Sequence, residues 1–356
     1  MIDLSCFPGE LKADARVRAA LATHPRLAAG MFGLMAGDIL GVPYQHTPPQ
    51  GMSPRAWIRP VAPPGYDAAH RGALPGLWSD DTAHAFCLLE SVLACGGLDL
   101  EDLGRRLHAW LHTGHYAPRR MVSDVGRQTA TAINRLHMGW PAHRAGPREA
   151  THLGNGALMR VLPLALWHAA SDDELAWLAA RQSLVTHGHP LSQAACAMLC
   201  LWVRARIEGA DGAWHRAAAR LRAIARQPAP AGMPVEEGAM LPWRVVDQLL
   251  HPRHRRRLVS NGKVVETLWC ARAAVENATC ALDAARLAAA YGGDTDTAAA
   301  IAAGVWCAAD GEVDPAAWAL PHLGEPLPRR FRDVAKPVLV PAVPWERGAD
   351  EGRVLQ

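Results

Sequence analysis

The chain has 356 residues, half of them apolar, so it can bury a large core and we expect a soluble globular protein. Its 37 basic and 34 acidic residues are spread along the whole sequence and give a formal net charge of +3, which argues against capture of nucleic acid or membranes by one basic surface. The first residues lack the basic region and apolar run of a secretory signal, so we expect a cytoplasmic protein.

Alanine- and leucine-rich segments with apolar residues three and four positions apart recur along the sequence, a spacing that is typical of helices. Alternating Val, Ile and Thr residues, which are typical of strands, are nearly absent. The segments expected to be helical are 10–40, 82–95, 99–112, 123–138, 156–170, 172–185, 189–225, 262–289 and 297–310. The sequence therefore predicts an all-α fold, a single compact multi-helical globule with Gly and Pro at the connections.

Three segments are predicted to be irregular because they are rich in Pro and Gly, namely 43–78, 227–242 and the tail after Pro321. None has the length and polarity of a linker between independent domains. We therefore expect an N-terminal extension over 1–28, one domain over 29–320, and a Pro-rich C-terminal tail over 321–356 that packs on the domain or is partly disordered.

Two acidic clusters each precede an apolar helical segment. They occupy Ser79–Thr82 and Gly292–Thr297. One Ser, Thr or Asp is enough to cap the free N–H groups of a helix, so these clusters exceed what capping requires. The segment after the second cluster is a continuous apolar run, which predicts that its acidic start is buried with it.

Carboxylates that are buried together repel one another unless they are protonated or paired with cations. If the two clusters meet, their four Asp residues carry four negative charges, which two divalent cations would balance. The available ligands are all oxygen atoms, which suit Mg²⁺ or Mn²⁺ rather than zinc or copper. The predicted ligands of a binuclear site are Ser79, Asp80, Asp81, Asp294, Asp296 and Thr297.

A third segment, Gly154–Arg160, begins with a Gly-Asn-Gly loop at the start of a predicted helix. Exposed N–H groups in such a loop can hold an anion such as a phosphate. On this short pattern alone, a plain turn into a buried helix is favoured. The basic run 251–257 has no aromatic residues between its charges, so a solvated loop is favoured there over a nucleic-acid site.

Five motifs, spread in order along the chain, resemble those of the ADP-ribosylglycohydrolase family. They are Gly33–Asp38 with Gly41 and Pro43, Trp78–Thr82, Gly154–Arg160, Thr186–Pro190 and Gly292–Thr297. The last, Gly-Gly-Asp-Thr-Asp-Thr, is highly specific for that family. Weaker similarities occur at Ser123–Gly126 and Gly262–Leu268, and the similarity spans roughly residues 30 to 311.

The resemblance implies an all-α globule in which two Mg²⁺ or Mn²⁺ ions, held by the six ligands above, lie at the bottom of a cleft. The residues implied to bind substrate are Asp124, Gly126, Asn155, Gly156, Ala157, Met159, Arg160 and His187. Asp124 is the candidate for handling the proton, with Asp81 and Asp296 as alternatives at the metals. Asp38 is expected to bond backbone N–H groups and is left out of the catalytic set.

The implied activity is metal-dependent hydrolysis of an N-glycosidic bond, with removal of ADP-ribose from a mono-ADP-ribosylated protein by water attack at the ribose anomeric carbon. Many relatives have Glu eight positions after the Gly of the first motif, and here that residue is Gln45, a neutral amide that cannot act as a general base. Arginine-directed relatives depend less on this Glu. We therefore expect ADP-ribosyl-arginine as the substrate.

Two alternatives stay open. An immunity-type protein of the same fold would neutralise an ADP-ribosyltransferase toxin by binding it, with or without hydrolysis. A hydrolase of another ADP-ribose adduct is the second alternative, because the leaving group would lie in variable loops outside the metal cleft. The expected partners are thus an ADP-ribosylated protein or, in the first alternative, the toxin.

Overall fold

The computed structural model describes residues 2–66, 76–168, 171–251 and 258–320. The predicted tail over 321–356 and most of the basic run lie outside these residues. The described part of the chain contains helices and single β-bridges but no β-strand, which confirms the predicted all-α globule. The α-helices are α1 (Ala15–Thr23), α2 (Pro25–Gly41), α3 (Asp80–Cys95), α4 (Leu100–Thr113), α5 (Arg127–His137), α6 (Ala142–Ala145), α7 (Leu162–Trp167), α8 (Asp172–Ser183), α9 (Pro190–Ile207), α10 (Ala213–Ile224), α11 (Trp243–Leu250), α12 (Val264–Asn277), α13 (Ala281–Ala290) and α14 (Thr295–Asp310).

The longest predicted segments divide where the backbone cannot continue a helix. The first divides between α1 and α2 at His24 (φ −120°, ψ 90°), because Pro25 lacks an N–H and forces the residue before it into an extended conformation. The segment that contains α9 and α10 divides at Gly209 and Gly212, with φ +68° and +61°. The sequence analysis missed α11, a helix of 8 residues that lies next to an irregular segment.

The pair α2 and α14 forms the centre of the fold. Every residue of α2 from Leu27 onward is buried, as is nearly all of α14. The two backbones approach so closely that a Cβ at Gly37 would lie 2.3 Å from the carbonyl oxygen of Ala299. At Gly41 a Cβ would lie 2.4 Å from the Cα of Asp296. This contact places the C-terminal end of α2 beside the N-terminal end of α14.

The stretch Pro25–Tyr44 has the length and mean hydropathy (1.3) of a membrane-spanning helix. The sequence analysis did not identify it as a candidate span. Its most apolar window is entirely buried inside the protein. A helix that is apolar all round is typical of the core of a large globule, and α2 occupies that position here.

The ends of the described chain pack onto the same core. The ring of Phe7 meets Phe32 of α2 and Phe86 of α3 edge to face, with centroid distances of 6.1 and 6.2 Å. Trp318 also contacts Phe32, at 6.2 Å. The boundary at residue 28 stays a prediction, but the residues before it contribute directly to the core.

We expect Gly37→Ala to lower the free energy of unfolding by about 3 kcal/mol, because the new methyl group meets backbone atoms of Ala299 that cannot rotate away. Intrinsic helix preference acts in the opposite direction, since Ala is favoured over Gly by about 1 kcal/mol. Urea unfolding of the purified protein measures the change. Gly97→Ala is the matched control, because a Cβ there meets no atom within 4 Å. A Gly37→Ala protein as stable as wild type contradicts the close contact.

Candidate active site and metal centre

Asp38 of α2 caps the start of α3 from outside that helix. Its carboxylate accepts hydrogen bonds from the backbone N–H groups of Ser79 (3.0 and 3.1 Å) and Thr82 (3.1 Å). The Thr82 hydroxyl donates a further bond of 2.6 Å. Asp38 therefore bonds backbone N–H groups as expected, and at the same time it fixes the first acidic cluster against α2.

Asp38, Asp81 and Asp296 form a group that we call the deep cluster, in which one carboxylate oxygen of each residue lies within 4.8 Å of the others. Asp81 Oδ2 accepts hydrogen bonds from the hydroxyls of Ser79 (3.0 Å) and Thr297 (3.2 Å). Asp81 Oδ1 and both carboxylate oxygens of Asp296 are buried with no hydrogen-bond partner among the described residues. Buried oxygens of this kind carry a large desolvation cost, which a cation or a proton can offset.

Asp80 and Asp294 lie nearer to solvent than the deep cluster and border a cleft. Burial is the largest cause that raises the pKa of these two carboxyls and of the three in the deep cluster. Repulsion adds to burial, since Asp124 and Asp81 further raise the pKa of Asp80. Without cations, the whole group therefore keeps its protons to a higher pH than ordinary Asp residues.

The turn before α14 depends on two glycines with left-handed backbone angles, Gly292 (φ +71°) and Gly293 (φ +79°). A Cβ at Gly293 would lie 1.9 Å from the carbonyl oxygen of Ser260. The same oxygen accepts the N–H of Asp294 (2.5 Å), whose carboxylate accepts a bond from the side-chain amide of Asn155 (2.5 Å). The turn therefore directs Asp294 toward the glycine loop of the third motif.

A cleft of about 590 Å³ opens beside these carboxylates, a volume typical of small-molecule sites. The predicted site residues that border it are Asp80, Asp124, Gly126, Asn155, Gly156, Met159, His187, Asp294 and Thr297. Ser79, Asp81 and Asp296 are buried and are not part of its lining. The lining residues that the sequence analysis did not predict as site residues are Gln45, His46, Arg127, Gln128, Thr129, Thr151, His152, Leu153, Gly154 and Gly262.

Asp124 lies on the cleft wall with a left-handed backbone angle (φ +56°), which is uncommon for a residue other than glycine. The side-chain amide of Gln45 donates a hydrogen bond to Asp124 Oδ2. Gln45 is 2% exposed, so its amide has little freedom to move. The residue that departs from the family pattern therefore orients a carboxylate at the cleft.

His187 lies buried against the glycine loop of residues 154–156. A Cβ at Gly156 would lie 2.7 Å from His187 Cε1, and a Cβ at Gly154 would lie 3.0 Å from Nε2. Burial lowers the pKa of His187 well below its ordinary value, so the ring is neutral at physiological pH. The close approach of the His187 ring thus requires glycine at 154 and 156, whether or not the loop also binds an anion.

Arg160 and Ala157 are fully buried and lie outside the cleft lining, and their contact with substrate stays a prediction. The Arg160 guanidinium donates to the side-chain and backbone oxygens of Gln182 (2.9 and 3.0 Å) and to the Thr186 hydroxyl (2.6 Å). The carbonyl oxygen of Ala157 accepts a bond from the Gln182 amide (3.1 Å). Thr186 Oγ1 lies 2.9 Å from His187 Nδ1, so Arg160 acts on the cleft through its neighbours.

Two further side chains form hydrogen bonds with the glycine loop of residues 154–156. Gln128 of α5 accepts the N–H of Gly154 (3.1 Å), and the Thr267 hydroxyl of α12 accepts a bond from the Asn155 amide (3.0 Å). No motif indicated Gln128. Thr267 falls within the weak family similarity at Gly262–Leu268, which overlaps the start of α12 and is the signal that could have identified it.

These residues fit divalent cations with oxygen ligands. The partnerless oxygens of Asp81 and Asp296 are buried where a cation would remove both their desolvation cost and their mutual repulsion. The surrounding donors are carboxylates and hydroxyls, the ligands that Mg²⁺ and Mn²⁺ prefer. Asp38 lies beside the predicted ligands as a third carboxylate of the deep cluster, a position that the sequence analysis did not predict.

Comparison with known proteins identifies similar sequences in several bacteria. The chain is 31% identical over 231 residues to the ADP-ribosylarginine hydrolase Tri1 of Serratia proteamaculans (strain 568), in an alignment that covers 64% of this chain and 57% of the relative. It is 27% identical over 280 residues to the protein of the same name in Pseudomonas putida (strain GB-1), covering 78% and 68%. It is 31% identical over 197 residues to the ADP-ribosyl-[dinitrogen reductase] glycohydrolase of Rhodospirillum rubrum, covering 52% and 59%. The chain thus spans less than two thirds of the length of the first and third relatives.

A solved structure described as an ADP-ribosylglycohydrolase-related protein complex has the same fold, with a TM-score of 0.57 and 26% sequence identity. The superposition covers 80% of this chain and 87% of that one. The model of the ADP-ribosylglycohydrolase family matches residues 20–342 and includes every motif that forms the cleft. The chain therefore belongs to the ADP-ribosylglycohydrolase family.

Proposed function

We propose that the protein is a metal-dependent hydrolase that removes ADP-ribose from mono-ADP-ribosylated arginine in a protein. The observation that carries the proposal is the deep cluster, whose partnerless buried oxygens lie next to a cleft of about 590 Å³. The names of the Serratia and Pseudomonas relatives support arginine as the modified residue. Gln45 supports it as well, because arginine-directed relatives depend less on Glu at this position.

The proposal assigns two cations to the acidic residues. When bound, Mg²⁺ or Mn²⁺ would supply positive charge that holds the sugar hydroxyls and activates a water molecule. Asp38 contributes negative charge to the site while it fixes Ser79 and Thr82 by hydrogen bonds. The residues that would hold the cations are Ser79, Asp80, Asp81, Asp294, Asp296 and Thr297.

Asp124 is the proposed proton-handling residue. Hydrolysis forms a bond between the water oxygen and the anomeric carbon and breaks the bond from that carbon to the guanidine nitrogen. The water must lose a proton and the guanidine must gain one. Gln45 donates to Asp124 Oδ2 and so fixes the orientation of the carboxylate, and the proposal assigns the proton to its other oxygen, Oδ1.

The walls of the cleft would orient the rest of the substrate. In this proposal Gly126, Asn155, Gly156, Met159 and His187 surround the diphosphate and the distal ribose. In this proposal the Thr186 hydroxyl, which accepts from Arg160, donates its own hydrogen to His187 Nδ1 at 2.9 Å. This arrangement favours a neutral His187 ring with its proton on Nε2, a donor suited to an anionic ligand.

Incubation of the enzyme and Mg²⁺ with a protein mono-ADP-ribosylated on arginine is expected to release free ADP-ribose, as measured by liquid chromatography. Asp296→Asn is expected to lower the rate by about 100-fold or more, because it removes one charge from the deep cluster. Asp211→Asn, at an exposed position, is the matched control. No release with either Mg²⁺ or Mn²⁺ contradicts the activity, whereas release from ADP-ribosyl-serine alone contradicts only the arginine assignment.

Asp124→Asn is expected to lower kcat by about 100-fold or more and Mg²⁺ affinity far less, because Asp124 lies on the cleft wall and outside the deep cluster, although its charge acts on Asp80. The Asn side chain still offers an oxygen to Gln45, so the local geometry is retained. Steady-state kinetics and calorimetric titration with MgCl₂ measure the two quantities. An unchanged kcat assigns the proton transfer to Asp81 or Asp296.

Without divalent cations, the protein is expected to lose stability as pH rises above about 4. Burial raises the pKa of Asp38 from 3.8 to about 6 and raises the pKa of Asp80, Asp81 and Asp296 well above 3.8. A carboxyl with a raised folded-state pKa stabilises the fold below its unfolded pKa, and that contribution is lost as pH rises through the folded pKa. Mg²⁺ favours the ionised carboxylates, so the increase in Tm that it causes should grow with pH.

Thermal unfolding with EDTA or with excess MgCl₂, at several values between about pH 5 and 8, tests this linkage. The Asp296→Asn protein should show a much smaller Mg²⁺ effect, because one of the carboxylates that repel in the deep cluster is gone. A Mg²⁺ effect on Tm that is independent of pH contradicts the assignment of the cations to these carboxylates.

Neutralisation of an ADP-ribosyltransferase toxin by binding stays a prediction. The Asp296→Asn variant separates the two roles, since it keeps the surface of the protein and loses the charge at the metal centre. If the variant protects the target of the toxin as well as wild type, binding accounts for the protection. If protection and ADP-ribose release are lost together, hydrolysis accounts for it.

A further inference from the structure

Three histidines form a second cluster of metal-ligating side chains, outside the cleft. His108 and His112 lie one turn apart on α4, and His137 is the last residue of α5. One ring nitrogen of each lies within 4.8 Å of the others, and His108 Nε2 lies 3.1 Å from His137 Nδ1. His108 and His112 are half-buried and His137 is exposed, so an ion can reach the cluster from solvent.

Core packing holds the two helices in this arrangement. Gly104 of α4 lies one turn before His108, and a Cβ there would be 3.3 Å from Leu136 Cδ2. The same Cβ would be 3.5 Å from the methyl group of Ala142. Leu136 is buried and precedes His137 in the chain, so packing of Leu136 against α4 fixes the backbone positions that carry the three rings.

The distances suit a tetrahedral metal. Zinc binds imidazole nitrogen at 2.0–2.1 Å, which places two ligand nitrogens about 3.3 Å apart. The 3.1 Å separation of His108 and His137 is close to that value, and rotation of the His112 and His137 side chains can close the remaining separations. Imidazole ligands favour zinc and similar transition metals over Mg²⁺, so this cluster differs in kind from the oxygen ligands of the cleft.

We propose that His108, His112 and His137 form a zinc site that clips α4 to α5, with water as the fourth ligand. Zinc binds an unprotonated imidazole nitrogen, so its affinity for the three rings is expected to fall at acidic pH. Arg127, Gln128 and Thr129, at the other end of α5, border or line the cleft. That end is about 15 Å from His137 along an 11-residue helix, so the ion restrains the wall of the cleft without touching the substrate.

The test is a calorimetric titration of the full chain with ZnCl₂ in excess MgCl₂, which competes with zinc for the deep cluster. One zinc ion per chain is expected to bind, with three nitrogen neighbours at about 2.0–2.1 Å by X-ray absorption. His112→Gln and His137→Gln are each expected to weaken zinc binding by more than about 10-fold, the effect of losing even an outer-shell partner. Zinc should raise the Tm of the wild type and not of these variants.

His215→Gln is the matched control, because His215 is exposed on α10 and far along the chain from the cluster. Asp296→Asn should keep the same zinc stoichiometry, which distinguishes this site from the carboxylates. Circular dichroism checks that the variants fold. Equal zinc binding by wild type and by the His112→Gln/His137→Gln double variant overturns the proposal, as does zinc binding that Asp296→Asn abolishes.

Discussion

The backbone contact between α2 and α14 determines where the deep carboxylates lie. Gly37 and Gly41 have no side chains, so the two helices meet directly, and Asp38 between these glycines comes near Asp296. Asp38 also accepts the N–H groups at the start of α3, which brings Asp81 to the same point. Three helices that are distant in sequence therefore contribute one carboxylate each to a single position. Asp80 and Asp294, from the same two acidic motifs, border the cleft, so the cleft lies beside that position.

This arrangement links folding to cation binding. Desolvation and repulsion of the carboxylates act against the folded state, and the surrounding donors offset only part of that cost. Ser79 and Thr297 donate to Asp81, and Asn155 donates to Asp294, but neither oxygen of Asp296 has a partner among the described residues. A cation at the deep cluster would therefore stabilise the fold as well as prepare the site for chemistry. The clustering of carboxylates that would bind the cations is thus the same clustering that lowers the stability of the cation-free fold.

Local signals in the sequence predicted the helices, because helix periodicity depends on residues three and four positions apart. The acidic motifs were also predictable, because each is a short run of neighbouring residues, and the positive φ of Gly292 and Gly293 belongs to one such run. Contacts between distant residues were not predictable in this way. Gln45 orients Asp124, which lies 79 positions later in the chain, and nothing in the sequence around either residue indicates the pair. Arg160 lies next to the glycine loop in sequence, which suggested a contact with substrate. Its partners lie 22 and 26 positions away on the buried side and direct the guanidinium into the core.

The ring of His187 occupies the space that side chains at 154 and 156 would need. A larger residue at either glycine requires a smaller one at 187, and a smaller residue at 187 leaves the loop without its support. A change in size at any one of the three positions therefore alters the space that the other two can fill. The glycine loop and a histidine from a separate segment thus form one packing unit, in which no member can change size alone.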